Sequence, residues 1–140
     1  MQNFKSHTQY VPGYHFGVLL LLLAVFIGSI VNVVNSTHEN IYSASLVAVL
    51  TLAVIMGFFY ARSFALKAQD RAIRAEENLR HFAATGKLLD NRLTIRQVIA
   101  LRFAPDEEFV ALANRAAAEN LAPKEIKRAV ENWKADHHRA

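Results

Sequence analysis

The sequence predicts an all-α protein: a two-helix transmembrane hairpin whose second span continues as a stalk helix into a small cytoplasmic three-helix bundle. Two apolar runs predict the hairpin, because residues 16–34 and 41–61 contain no Lys, Arg, Asp or Glu. A helix of 19 residues, the length of the first run, spans about 28 Å, close to the thickness of a bilayer's hydrocarbon core. Backbone polar groups in lipid must pair internally, so both runs are expected to be helical. Three amphipathic patterns after residue 90 predict the bundle.

Changes of composition divide the chain into four predicted segments. Residues 1–15 form an N-terminal cytoplasmic lead, 16–61 the hairpin, 62–85 the juxtamembrane stalk helix and 86–140 the cytoplasmic helical domain. Of the 16 Lys and Arg residues, 15 occur at Arg62 or later and none lies in the loop between the runs. The positive-inside rule therefore predicts that both termini are cytoplasmic. The net charge of +4, with both signs interspersed, argues against a nucleic-acid partner.

Small and polar residues in the two spans predict helix packing within the membrane. Gly28 and Asn32 share one face of the first span, and Ala53, Gly57 and Ala61 recur at four-residue spacing in the second. Small residues let helix backbones approach closely, and a buried Asn favours a hydrogen-bond partner on another helix. The expected contact is the other span or a second copy of the chain.

The stalk carries a heptad pattern of its own. No Gly or Pro occurs between Gly57 and Gly86, so the second span is expected to run on as one helix to about residue 85, where Gly86 suits a C-cap. Residues at alternating steps of four and three form what we call the stalk seam: Ala65, Ala68, Ala72, Ala75, Leu79 and Phe82. Such a seam needs a partner, either the later helices of the domain or a second copy.

Basic residues near the end of the second span predict contact with the membrane surface. Arg62, Lys67 and Arg71 are expected to meet anionic lipid headgroups.

Three sequence patterns predict where the helices of the bundle begin. Thr94 and Gln97 form a capping-box pattern, and Pro105 and Pro123 are expected at the first position of the next two helices. The predicted helices cover about 95–103, 106–120 and 123–137, and Trp133 belongs to the apolar face of the last.

Residues that could carry chemistry are few, and the pattern does not predict an enzyme. The acids of residues 106–108 open a helix, where they stabilise its positive end. His81 is expected to form a surface pair with Glu77, and His137 and His138 to lie in a solvated tail. A further hypothesis is a membrane-bound enzyme or metal protein that uses these three histidines. The chain has no Cys, and it carries neither a glycine-rich phosphate loop nor a zinc-protease motif. No cofactor is expected.

The sequence also resembles a bacterial family of small two-span integral membrane proteins of unknown function, over nearly the whole chain. The segments that carry the resemblance are Gln2-Asn-Phe-Lys5, Tyr10-Val-Pro-Gly-Tyr-His15, the two spans, Ala75-Glu-Glu-Asn-Leu-Arg80, Leu93-Thr94, Gln97-Val-Ile-Ala-Leu-Arg-Phe-Ala104, Asp106-Glu-Glu-Phe109, Glu125-Ile-Lys127 and Trp133-Lys-Ala-Asp136. The resemblance implies a bacterial membrane protein and supplies neither an activity nor site residues.

The function expected from these patterns is that of a non-catalytic interaction protein or accessory subunit of the bacterial inner membrane. Its partners would be the lipid bilayer and either further copies of itself or a larger membrane complex. The alternative is an oligomeric transporter or channel component, in which Ser29, Asn32 and Thr51 line a path.

Overall fold

The computed structural model describes residues 13–134, which form helices joined by turns and loops and contain no strand. A π-helical segment at Gly13–Val18 leads into α1 (Leu19–Val34). The remaining helices are α2 (Ile41–Thr85), α3 (Ile95–Leu101), α4 (Asp106–Glu119) and α5 (Pro123–Ala129). The all-α prediction is therefore confirmed for the described residues. Residues 1–12 of the predicted lead, and His137 and His138, lie outside them.

The chain forms two packing units, with a boundary between Ala65 and Leu66. α2 is one uninterrupted helix and contributes residues to both units, as its lack of Gly and Pro predicted. It ends at Thr85 because Gly86 adopts a φ of +72° and its N–H donates to the carbonyl oxygen of Phe82 at 2.7 Å. The predicted glycine cap is thus confirmed.

The first unit contains α1 and the apolar part of α2, and both helices repeat their least exposed residues in steps of three and four. On α1 these are Leu19, Leu22, Phe26, Ser29 and Val33, and on α2 they are Ala44, Ala48, Thr51, Ile55 and Phe58. This alternation is typical of helices that pair along a left-handed seam. The rings of Tyr14 and Phe58 stack with their centroids 4.5 Å apart.

Large apolar side chains make up much of the exposed surface of α1 and of the first half of α2. Two stretches are long and apolar enough to cross a membrane: Phe16–Val34 and the first half of α2. Only 6% of the first stretch and 11% of the second is buried. The most exposed include Leu20, Leu21, Val34, Val49 and Leu50. A helix in the core of a soluble protein would be mostly buried, whereas these two stretches are mostly exposed within the single chain.

The second unit has a core of its own, built where α3, α4 and α5 meet. Its fully buried side chains include Leu93, Leu101, Phe109 and Ile126, and α2 adds Ile73. These apolar stripes follow the helical spacing of the sequence.

Local chemistry sets the beginnings of these helices. At α3 the Thr94 hydroxyl accepts from the Gln97 N–H at 3.4 Å, while the Thr94 N–H donates to Oε1 of Gln97 at 2.7 Å. This confirms the predicted capping box. Pro123 opens α5 as predicted, whereas Pro105 lies one position earlier than predicted, as the N-cap of α4.

The prediction that α5 extends to residue 137 is wrong, because the helix ends at Ala129. The carboxylate of Glu108 accepts from the backbone N–H groups of Glu131 and Asn132 at 3.0 Å each, and the N–H of Lys134 donates to the carbonyl oxygen of Phe103 at 2.8 Å. These partners replace the hydrogen bonds of another helical turn. Trp133 consequently lies beyond the helix.

Candidate docking surfaces of the helical domain

Arg80 joins α2 to the beginning of α4. Its Nε donates to the Asp106 carboxylate at 2.5 Å, its Nη1 to Glu77 at 3.1 Å and its Nη2 to the carbonyl oxygen of Ala104 at 2.8 Å. The guanidinium also lies 4.2 Å from the centroid of the Phe109 ring. A planar, permanently charged fork can satisfy all of these partners at once.

Glu77 lies beneath this fork, with only 8% of its surface exposed. Burial raises the pKa of its carboxyl, and the hydrogen bond from Arg80 opposes this shift. The folded domain thus holds the proton of Glu77 more tightly than the unfolded chain does. The contribution of Glu77 to stability is greatest below its ordinary pKa of 4.5 and falls as the pH rises toward the pKa of the folded state.

We expect Glu77→Gln to become progressively more favourable, relative to the wild-type chain, as the pH rises from about 4 to about 7. Glutamine keeps an oxygen for Arg80 but carries no charge to desolvate. The measurement is the free energy of unfolding of both full-length chains in the same detergent at each pH, followed by the fluorescence of Trp133, the sole tryptophan. The other carboxyl groups are common to both chains and cancel in the difference. A difference that stays constant or shrinks with pH would contradict the assignment.

The predicted surface pair of His81 and Glu77 is wrong, because both side chains are buried and each has another partner. Nδ1 of His81 lies 2.7 Å from the carbonyl oxygen of Lys87, and its ring packs edge-on to Phe109 with a centroid distance of 6.0 Å. Nδ1 must carry the proton in order to donate to a carbonyl. His81 thus ties the turn after α2 back to that helix. Within residues 13–134 no three His, Asp or Glu side chains form a cluster that could hold a metal.

Charge is unevenly distributed among the three short helices. α3 and α5 together carry Arg96, Lys124, Lys127 and Arg128 against the one acid Glu125. α4 has the opposite balance, with Asp106, Glu107, Glu108 and Glu119 against Arg115. The α3–α5 side is therefore basic.

A groove lined by both apolar and basic side chains lies between α3 and α5. The apolar lining consists of Ile99, Ala122 and Pro123, and the basic lining consists of Arg96, Lys124 and Lys127. Its volume is about 450 Å³. We call this the α3–α5 groove. A lining that combines basic and apolar side chains suits a segment that carries acidic and apolar side chains together.

A second groove lies where α2 meets the beginning of α3, and it contains two of the residues predicted to meet lipid headgroups. Lys67 and Arg71 line it with Asp70, Arg74 and Ile95. The Nη2 of Arg74 donates to the carbonyl oxygen of Leu93 at 2.5 Å, which fixes this wall of the groove. Arg62, the third predicted residue, places its guanidinium 5.4 Å from the ring centroid of Tyr14. Contact of these residues with headgroups stays a prediction.

The stalk seam is not the side of α2 that packs against the described helices α3, α4 and α5. The side of α2 that packs there carries Ile73, Glu77 and His81, at four-residue spacing. Every stalk-seam residue is exposed, with Leu79 at 68% and Phe82 at 51%. Of the two partners predicted for the seam, the later helices of the domain are therefore wrong for the described residues, and a second copy stays a prediction.

The residues predicted to pack in the membrane are also exposed within the chain: Gly28, Asn32, Ala53, Gly57 and Ala61. Within the single chain, Ser29 and Thr51 are the buried polar residues of the spans instead, and their hydroxyls donate to the carbonyl oxygens of Phe26 at 2.7 Å and Val47 at 2.8 Å. Packing of the small residues against a second copy stays a prediction, as does a path lined by Asn32.

Sequence reasoning missed the contact between Phe103 and Trp133, whose ring centroids lie 4.8 Å apart. Phe103 is fully buried, but it follows the end of α3 and so falls outside the helical period. The run Leu101-Arg-Phe-Ala104, at the end of the first helix predicted for the domain, was the available signal.

Comparison with known proteins gives one match. No curated protein and no solved structure matches the chain. The model of DUF6526, described as a family of unknown function, matches residues 1–140. A match over the full length shows membership, so this chain belongs to the DUF6526 family.

Proposed function

We propose that this chain is a non-catalytic interaction protein, or accessory subunit, of the bacterial inner membrane. The single observation that carries the proposal is the exposed apolar surface of the first unit. Only 6% of the apolar stretch in the first helix is buried, and only 11% of that in the second. Lipid is the environment that would cover two uncharged helices of this length. Residues 16–34 and 41–61 would then be the spans of a transmembrane hairpin.

The proposed orientation rests on the basic residues that follow the second apolar run. Fifteen of the 16 Lys and Arg residues follow the second apolar run, so both termini would be cytoplasmic and residues 35–40 would face the other side. Arg62, Lys67 and Arg71 would lie near the anionic inner leaflet, each contributing about 1 kcal/mol of attraction if close to the surface.

The docking role rests on the α3–α5 groove and on the firm attachment of the domain to α2. Arg80 and His81 bind α2 to the segments around α4 and Lys87, so the domain is presented on a helix. Arg96, Lys124 and Lys127 line the groove together with the apolar side chain of Ile99. A cytoplasmic segment with acidic and apolar side chains is the partner that fits this surface.

Two experiments on the full-length chain test the two halves of this proposal. Alkaline washing of membranes should leave the chain in the pellet, whereas release into the supernatant would contradict the anchor. A photoreactive amino acid in place of Ile99 should attach one defined protein in intact membranes. The matched control is the same amino acid at Glu119, an exposed residue of α4. Equal labelling from both positions, or none from Ile99, would contradict docking at the groove.

A further inference from the structure

Within residues 66–134, the packing of the second unit leaves one side of α2 exposed. The buried side chains Ile73, Glu77 and His81 face the domain, while Ala68, Ala72, Ala75, Leu79 and Phe82 are all exposed. The exposed set alternates steps of four and three residues, which is the spacing of the contact positions in a two-stranded coiled coil. A helix side with this period, and with two large apolar residues exposed at 68% and 51%, fits another helix.

Charged residues beside the seam indicate which helix could pack against it. Arg71 directly precedes the contact position Ala72, and Glu76 directly follows the contact position Ala75. In a parallel, in-register pair these flanking positions, five residues apart, face each other across the interface. Arg71 of each copy would therefore meet Glu76 of the other, and the symmetry makes this contact twice. Both side chains are exposed, and neither forms an ion pair with another described residue.

We propose that α2 pairs in parallel with α2 of a second copy of this chain along the stalk seam, from Ala68 to Phe82. The inference rests on the proposed function in one respect: a shared membrane orientation makes the two helices parallel. Small residues at Ala68, Ala72 and Ala75 let the helices approach closely, and Leu79 and Phe82 add apolar area near the end of α2. The domain stays outside the interface, because it occupies the other side of the helix.

Single-cysteine variants of the full-length chain test the pairing in native membranes, since the sequence has no cysteine of its own. A disulfide forms only when the two Cα atoms come within about 7 Å, which symmetric contact positions allow. Ala72→Cys and Ala75→Cys should give a product of twice the chain mass on brief oxidation. Ala84→Cys is the matched control, because Ala84 is an exposed alanine of the same helix off the seam. We expect the control to react at least about fivefold less.

Charge reversal then tests the parallel register. In the Ala72→Cys background, Arg71→Glu and Glu76→Arg should each lower the dimer yield by about twofold or more, since like charges then face each other. The double variant should restore the yield. If these two residues acted only through attraction to the anionic membrane, Glu76→Arg would not lower the dimer yield, because it adds positive charge.

Three outcomes would overturn the proposal: equal cross-linking at Ala72 and Ala84, no cross-linking at the seam, or a seam product whose mass is not twice that of the chain. The last would show that a different protein covers the seam. None of these outcomes affects the alkaline wash or the Ile99 photoreaction, so failure of the pairing and failure of the proposed function are distinguishable.

Discussion

Replacing Arg80 with alanine should lower the free energy of unfolding of the helical domain by about 3 kcal/mol, because a buried charge then loses its partner. The substitution removes hydrogen bonds to Glu77, Asp106 and the carbonyl oxygen of Ala104, together with the contact to the Phe109 ring. Glu77 would remain buried without its cation. Denaturant unfolding of the full-length chain in detergent, followed by the fluorescence of Trp133, measures the change.

Arg115→Ala is the matched control for this experiment. Arg115 also pairs with a carboxylate, that of Glu119 at 3.2 Å, but both side chains are more than half exposed. An exposed pair of this kind contributes at most about 0.5 kcal/mol. Equal losses in the two variants would show that Arg80 does not hold α2 to α4. Arg80→Lys should fall between them, since an ammonium cannot form the same fork of hydrogen bonds.

Leu101→Ala should be comparably severe, with an expected loss of about 3 kcal/mol within the usual range for a buried leucine. Leu101 is fully buried at the end of α3, in the core shared with α4 and α5. Truncation removes apolar contacts and leaves a cavity that the surrounding helices fill only in part. The same unfolding measurement applies.

Leu88→Ala makes the same chemical change at the surface, because Leu88 is 64% exposed in the turn after α2. We expect a change within about 0.5 kcal/mol. A large loss at Leu88, or a negligible one at Leu101, would place the core elsewhere.

Features that depend on near neighbours were predictable from the sequence. The capping box of Thr94 and Gln97, the first-turn Pro123 and the Gly86 cap each involve residues within a few positions of one another. The length of α2 was likewise predictable, since no breaker interrupts it. These signals fix where helices begin and where one of them ends.

Features that depend on distant partners were not predictable. α5 stops early because Glu108 and Phe103, more than 20 residues upstream, take the backbone N–H groups that another turn would use. α2 turns a partly polar side toward the domain because Arg80 and His81 find hydrogen-bond acceptors at Ala104 and Lys87. Hydrophobic periodicity alone favoured the stalk seam as the packing side of α2. It scores only apolar residues, so it misses polar side chains whose hydrogen-bond partners lie elsewhere in the chain.

The exposed seam and the α3–α5 groove therefore give this domain two separate surfaces, on different elements. The seam is apolar and periodic, which suits a second copy, whereas the lining of the groove includes Arg96, Lys124 and Lys127, which suits an acidic segment. An accessory subunit that pairs through one surface and docks through the other would use both.

The central claim is that two apolar helices cross the membrane and hold the helical domain in the cytoplasm. Labelling of single cysteines in intact cells with a membrane-impermeant maleimide tests it most directly, with Thr37→Cys in the loop between the apolar runs and Lys124→Cys in the domain, both at exposed positions. The account predicts that the cysteine at position 37 reacts in intact cells and that the one at position 124 reacts only after the inner membrane is permeabilised. Labelling at 124 in intact cells, or at neither position until permeabilisation, would contradict it.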